Sequence, residues 1–168
     1  MISKEMQKLL NDQVQKEFYS AYFYLSMKAW FAEQNLDGFA NFFDVQVKEE
    51  RDHALKFYDY IIHVGGKVEL QAIASPPVDF ASPLSLFQET LKHEQFVTAS
   101  IYNIVNLAIQ EKDHKTNSFL QWFVTEQAEE EATAEANVNK LKLIGDNTQG
   151  LFMLDTELAK RVYTPIVV

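Results

Sequence analysis

The 168-residue chain contains no cysteine. That excludes disulfide staples, thiolate zinc sites and cysteine-ligated clusters, and it suits a reducing cytoplasm, the expected location. Glycine and proline are scarce, at five and four residues, and they cluster rather than punctuating the whole chain. No apolar run reaches the roughly 18 residues of a membrane span, and the start Met1-Ile2-Ser3-Lys4-Glu5 has no apolar signal core, so no membrane partner is expected. Positive charge is in deficit: 15 Lys and Arg against 24 Asp and Glu leave a formal −9. Such a surface repels nucleic acid and makes cations the natural partners. The length suits one domain over residues 1–168, large enough to bury a proper core.

What is present is helical periodicity. An inward stripe at steps of three and four, Met6, Leu10, Val14, Glu17, Ala21, Tyr24 and Lys28, predicts a first helix from about Ser3 to Gln34. Lys28, near the end, can turn its ammonium outward. Phe39, Phe43, Gln46, Glu50, His53, Phe57, Ile61 and Val64 predict a second from Asp37 to Val64, stopped by Gly65-Gly66. Ser82-Pro83 reads as an N-cap followed by proline in the first turn of a third, with Phe87, Leu91, Glu94, Thr98, Ile101, Val105 and Ala108 inward. A turn at Lys112-Asp113-His114 leads to a fourth, with Leu120, Phe123, Gln127, Glu130, Ala134, Asn137, Leu141 and Ile144 inward. A short fifth helix is expected over about 149–161, after a bundle of about 3–144. Helices one and two, and three and four, are joined by only a few residues and must be antiparallel. The stretch from Gly65 to Ser82 is long enough, at roughly 3.3 Å per residue, to run the length of a bundle. The expectation is all-α: a four-helix bundle with one long crossover between helices two and three and a short C-terminal helix.

Polar residues break the stripes in register. Glu50 follows Glu17 by 33 residues and Gln127 follows Glu94 by 33; each is followed one turn on by another donor, His53 or Glu130. The i, i+3 spacing puts both members of a pair on one helix face. Bare carboxylates in a dry core would each cost roughly several kcal/mol in lost hydration. Two divalent cations would balance four of them, which couples metal binding to bundle stability. Oxygen donors with a single imidazole suit iron or manganese better than copper. A two-metal site at mid-bundle is the reading these residues support.

The runs Glu17-Phe18-Tyr19-Ser20-Ala21-Tyr22, Glu49-Glu50-Arg51-Asp52-His53-Ala54 and Glu126-Gln127-Ala128-Glu129-Glu130 resemble the prokaryotic non-haem ferritins, over essentially the whole chain. The resemblance implies a ferritin-like bundle with a ferroxidase centre that oxidises Fe(II) with dioxygen or hydrogen peroxide and stores ferric oxide-hydroxide inside a shell of 24 subunits. It implies that Glu17, Glu50 and His53 hold one iron and that Glu50 bridges to a second held by Glu94 and Glu130. Gln127 would lie beside the second iron, and Glu49, Glu126 and Glu129, with Glu130, would form a third site. Tyr24 matches a tyrosine near the centre, as electron donor, hydrogen-bond donor or packing. Trp122 reads as packing, with electron donation the alternative.

Two departures narrow the resemblance. Haem-bearing relatives carry methionine after the bridging Glu and a second Glu-x-x-His on the fourth helix; Arg51 and Glu130 stand there, so no haem is expected. Asn117 and Leu120 stand where animal ferritins carry an acidic pair at a three-fold entry channel, which argues against that route. His63, His93 and His114 have no partner nameable from sequence and are assigned to the surface. Phe18, Tyr19, Tyr22, Phe23, Trp30 and Phe31 exceed what one bundle can bury and are expected at subunit contacts, with Leu151, Phe152, Leu154 and Leu158 of the last helix at four-fold axes. The competing readings are a diiron bundle that oxidises substrates or scavenges peroxide without storage, and a partner-binding bundle whose acids are only hydrogen-bonded.

Overall fold

A computed structural model describes residues 2–166 and contains five helices. The first, α1, spans Lys4–Glu33, and its Ser3 cap accepts a hydrogen bond from the Met6 amide at 3.0 Å. α2 spans Asp37–His63, α3 Pro83–Gln110, α4 His114–Ile144 and α5 Thr148–Leu158. Ser82 and Ser85 form a reciprocal capping box at the start of α3, ahead of the Pro83 turn. Asp113 caps α4 and Asn147 caps α5, each accepting from a backbone amide three residues on.

Three helices stop in one way. Asn35, Gly65 and Lys112 take positive φ (58°, 75° and 55°), and the next amide reaches back five residues, from Leu36 to Phe31, Gly66 to Ile61 and Asp113 to Ala108. This left-handed cap satisfies the last carbonyls and turns the chain within a few residues. Antiparallel α1–α2 and α3–α4 pairs follow. The four long helices end within a residue or two of their expected bounds, but α5 stops at Leu158 rather than Arg161. The reason is a competing partner: the Asn41 side-chain amide donates to the carbonyls of Leu158, Ala159 and Arg161, drawing the chain off the helix and onto α2.

The crossover, residues 64–82, lies against α1. Gln7 and Asn11 hold the backbone of Lys67 and Glu69, and Ser26 donates to the Pro77 carbonyl at 2.6 Å. Nineteen residues of helix, about 29 Å, separate those anchors, so the segment runs most of the bundle's length. One long crossover and two hairpins are the connectivity the sequence predicts.

The apolar core is divided in two. One cluster holds Phe23, Met27, Phe31, Phe39, Phe43, Phe87 and Leu141; the other holds Met6, Leu10, Val14, Phe57, Ile101, Leu120 and Phe123. Between them every long helix places buried polar side chains at mid-length. The layer is what the fold exists to position. Several inward positions differ by one step from expectation: Ser20 and Met27 are buried where Ala21 and Lys28 were assigned, because the long α1 rotates its stripe as it runs. Lys28 instead pairs with Asp44 at 2.7 Å. Among the aromatics assigned to subunit contacts, Phe23 and Phe31 are buried in the core, where Phe31 stacks 4.8 Å from Phe39; Tyr22 is exposed and Phe18, Tyr19 and Trp30 are half-buried. No described helix is long and apolar enough to cross a membrane.

Candidate metal centre

Four helices deliver acids to the polar layer. Glu17 comes from α1, Glu50 and His53 from α2, Glu94 from α3, and Gln127 and Glu130 from α4, all buried. Donor atoms of Glu17, Glu50 and His53 all lie within 4.8 Å of one another, the only compact His/Asp/Glu trio among the described residues. His53 Nδ1 is 3.3 Å from Glu50. Glu94 and Glu130 lie outside that trio, yet near enough for their charges to act on Glu50.

The electrostatics are those of acids kept from water without enough compensation. Burial raises the Glu17 carboxyl above its ordinary range against the pull of His53 and Gln13. Burial, then repulsion from Glu94, Glu17 and Glu130, drives Glu50 well above it. Burial also raises Glu94, and burial with the Glu94 charge pushes Glu130 up to about 8. Five buried side-chain polar atoms among the described residues have no hydrogen-bond partner, and four of them are Glu17 Oε2, Glu50 Oε1, His53 Nε2 and Gln46 Oε1. Native interiors rarely leave such atoms unpaired. Two of the four are carboxylate oxygens and one is an imidazole nitrogen, donor types that suit a metal such as iron.

A second ring of side chains holds these donors. Gln13, fully buried, donates to Glu17 at 2.8 Å and accepts from Ser100, which accepts in turn from Lys16. Gln46 donates to Glu130 at 3.0 Å. Gln127 donates to Glu94 at 3.1 Å and lies 3.2 Å from the Thr98 hydroxyl. The Tyr24 hydroxyl donates to Glu94, and burial beside these acids raises it well above the usual phenol range. Trp122 meets His53 edge-on at 5.5 Å, with the Lys56 ammonium 4.8 Å from its ring.

The three acids assigned to a further site are placed unequally. Glu126 lies 3.9 Å from His53 Nε2, Glu129 is exposed, and Glu49 is bonded to Arg161 at 2.6 Å. One histidine assignment is corrected. His93 is not a free surface residue: it shares a 2.8 Å hydrogen bond with Ser20, packs against Tyr19, Phe23 and Tyr24, and burial lowers it to about 4, so it is neutral. Leu120 is fully buried in the core, on the inward face that its stripe predicts. Sequence reasoning passed over Gln13 although it lies one turn from Glu17; a polar residue at that spacing on an inward face was the available signal. Nothing local marks Arg161, whose partner is 112 residues away.

Comparisons with known proteins find relatives over nearly the whole chain. The model of a ferritin-like domain matches residues 7–144. A bacterial non-heme ferritin of Staphylococcus aureus (strain MRSA252) is 43% identical over 163 residues, covering 97% of this chain and 98% of that protein. One from Campylobacter jejuni is 46% identical over 155 residues, covering 92% and 93%. Among solved structures, an open-pore ferritin from the hyperthermophilic archaeon Archaeoglobus fulgidus superposes with a TM-score of 0.95 at 46% identity, covering 96% of this chain and 100% of that one.

Proposed function

The chain belongs to the bacterial non-haem ferritins of the ferritin-like family, and on that premise we propose how its own residues oxidise and store iron. Its activity is that of a ferroxidase coupled to iron storage, with Fe(II) as substrate and ferric oxide-hydroxide as product. In our reading Glu17, Glu50 and His53 hold one ferrous ion. Glu50 reaches across to a second, held by Glu94 and Glu130. The observation that carries this assignment is that Glu17, Glu50 and His53 bring ligand atoms within 4.8 Å of one another in the core, and that each also keeps a buried polar atom without a hydrogen-bond partner.

The chemistry follows from charge. Two ferrous ions answer four carboxylates, so the acids release their shared protons as metal enters. Each iron yields one electron on oxidation. A pair therefore reduces dioxygen to peroxide, or peroxide to water. Oxygen donors favour the ferric state and so the forward reaction. Gln127, hydrogen-bonded to Glu94, would orient an oxygen species at the second iron, while the Tyr24 hydroxyl, donating to Glu94, would hold that ligand in position. Gln13 and Gln46 keep Glu17 and Glu130 from swinging, as outer partners of ligands commonly do.

Self-association into a 24-subunit shell completes the reading. An apolar groove lined by Phe18, Tyr22, Leu25, Val47 and Ile73 supports a subunit contact on the α1–α2 face. Phe152 and Met153 project from α5 as further apolar surface. We place the protein in the cytoplasm, without haem.

Stopped-flow absorbance on aerobic mixing with Fe(II) tests the assignment. Glu50→Ala should slow the fast oxidation phase at least a hundredfold while light scattering still reports a large shell. Unchanged kinetics in an assembled Glu50→Ala protein would remove the bridging role.

A further inference from the structure

Beyond α5 the chain runs along α2. The Asn41 amide donates to the carbonyls of Leu158, Ala159 and Arg161, at the end of α5 and just past it, at 3.0–3.4 Å. Further on, the Tyr163 hydroxyl donates to Asp52, and Lys48 sits 5.8 Å from the Tyr163 ring. Between these anchors the Arg161 guanidinium lies 4.4 Å from the Phe42 ring and donates through Nη2 to Glu49 Oε2 at 2.6 Å. Both side chains are mostly covered, Glu49 at 19% exposure and Arg161 at 24%.

Glu49 is the acid that a third cation would need, beside Glu126 and near His53. A guanidinium already stands on it. Arginine keeps its charge at any physiological pH, so this cation is not removed by titration. A divalent ion approaching Glu49 must displace Arg161 or bear like-charge repulsion at a few ångströms. Without Glu49, the site retains the exposed Glu129, the half-buried Glu126 and Glu130, which is already engaged at the centre. The grip on Arg161 is incomplete, however. Only Nη2 meets the carboxylate, and Nη1 is buried without a partner. A single-pronged contact is weaker than the bidentate fork arginine can make.

We propose that residues 159–166 form a strap that seats Arg161 as a built-in counter-cation at the third carboxylate site, so that a metal ion is held there only when the strap lifts. The inference rests on the ferritin reading. It makes Arg161 a residue that sets the number and affinity of iron sites. Tyr163 and Asn41 are positioning residues that fix how readily it leaves.

Anaerobic calorimetric titration of the assembled, iron-free protein with Fe(II) tests it without any turnover. Wild type should fill two sites per subunit, and Arg161→Gln should fill a third with affinity at least tenfold above any further wild-type binding. Arg161→Lys keeps the charge and should resemble wild type. Tyr163→Phe loosens the strap without removing the charge, and should raise third-site affinity to an intermediate value. Adding Glu49→Gln to Arg161→Gln should abolish the gain. Equal stoichiometry and affinities in wild type, Arg161→Gln and Tyr163→Phe would overturn the strap, as would three comparably tight sites in wild type. Absence of Fe(II) binding in every variant would instead count against the ferroxidase centre itself.

Discussion

Glu130 shows what the site demands of individual side chains. Its carboxyl, ordinarily near 4.5, is pushed up to about 8 by burial and by Glu94. Between those two values the folded apoprotein holds a proton that the unfolded chain has released. Stability therefore falls as pH rises through that window, by on the order of a few kcal/mol for this residue. Glu17, Glu50 and Glu94 are raised too and act in the same direction. Divalent metal takes the place of those protons, so its stabilising effect should grow with pH. Calorimetric melting of iron-free protein should give a lower Tm at pH 8 than at pH 5.5, with the difference reduced by added metal. An apoprotein Tm that rises across that interval would show that the acids are not stressed as described. The six buried polar side chains of the central layer were legible from sequence because each breaks an apolar stripe at a matched depth. His93 was not, since its neighbours Tyr19, Phe23 and Ser20 come from another helix and its burial depends on how α1 and α3 meet.

Elements were legible where local chemistry marks their ends. Ser3, Ser82-Pro83 and Gly65-Gly66 each announce a cap or a stop, and the bundle's connectivity follows from short against long connections. The seating of α5 was not legible, because its determinants pair residues more than 100 positions apart. The Asp155 carboxylate accepts hydrogen bonds from the Gly38 and Phe39 amides at 2.8 and 3.0 Å, capping α2 in place of Leu36, which offers no side-chain acceptor. Gly38 permits this approach: a Cβ there would stand 1.7 Å from the Asp155 carbonyl oxygen. Asp155→Ala removes a cap worth about 1–2 kcal/mol and should release α5, lowering Tm by a few degrees and exposing the tail to protease. Asp155→Asn retains an acceptor and should lose less. Identical melting and proteolysis in wild type and Asp155→Ala would mean that α5 is held without this cap, by Leu154, Leu158 and the Asn41 contacts.

At the scale of the whole molecule, the two halves of the core are ordinary packing around a layer that is not. Phe and Met side chains above and below supply the stability that lets mid-bundle carboxylates go unsatisfied in the apoprotein. The chain's acidic balance, a formal −9 over all its residues, favours the approach of cations, and exposed apolar residues on α1 and α5 leave surface for the proposed self-association. The proposed 24-subunit shell came from the family resemblance rather than from the residues of one chain, since such an assembly depends on surfaces of other copies. The account stands on the claim that two iron ions answer the charge at the bundle's middle. Crystals soaked anaerobically in Fe(II), with anomalous data collected at the iron edge, measure this directly. The account predicts two peaks per subunit, one bonded to Glu17, Glu50 and His53 and the other to Glu50, Glu94 and Glu130. A map without peaks among those side chains would contradict it.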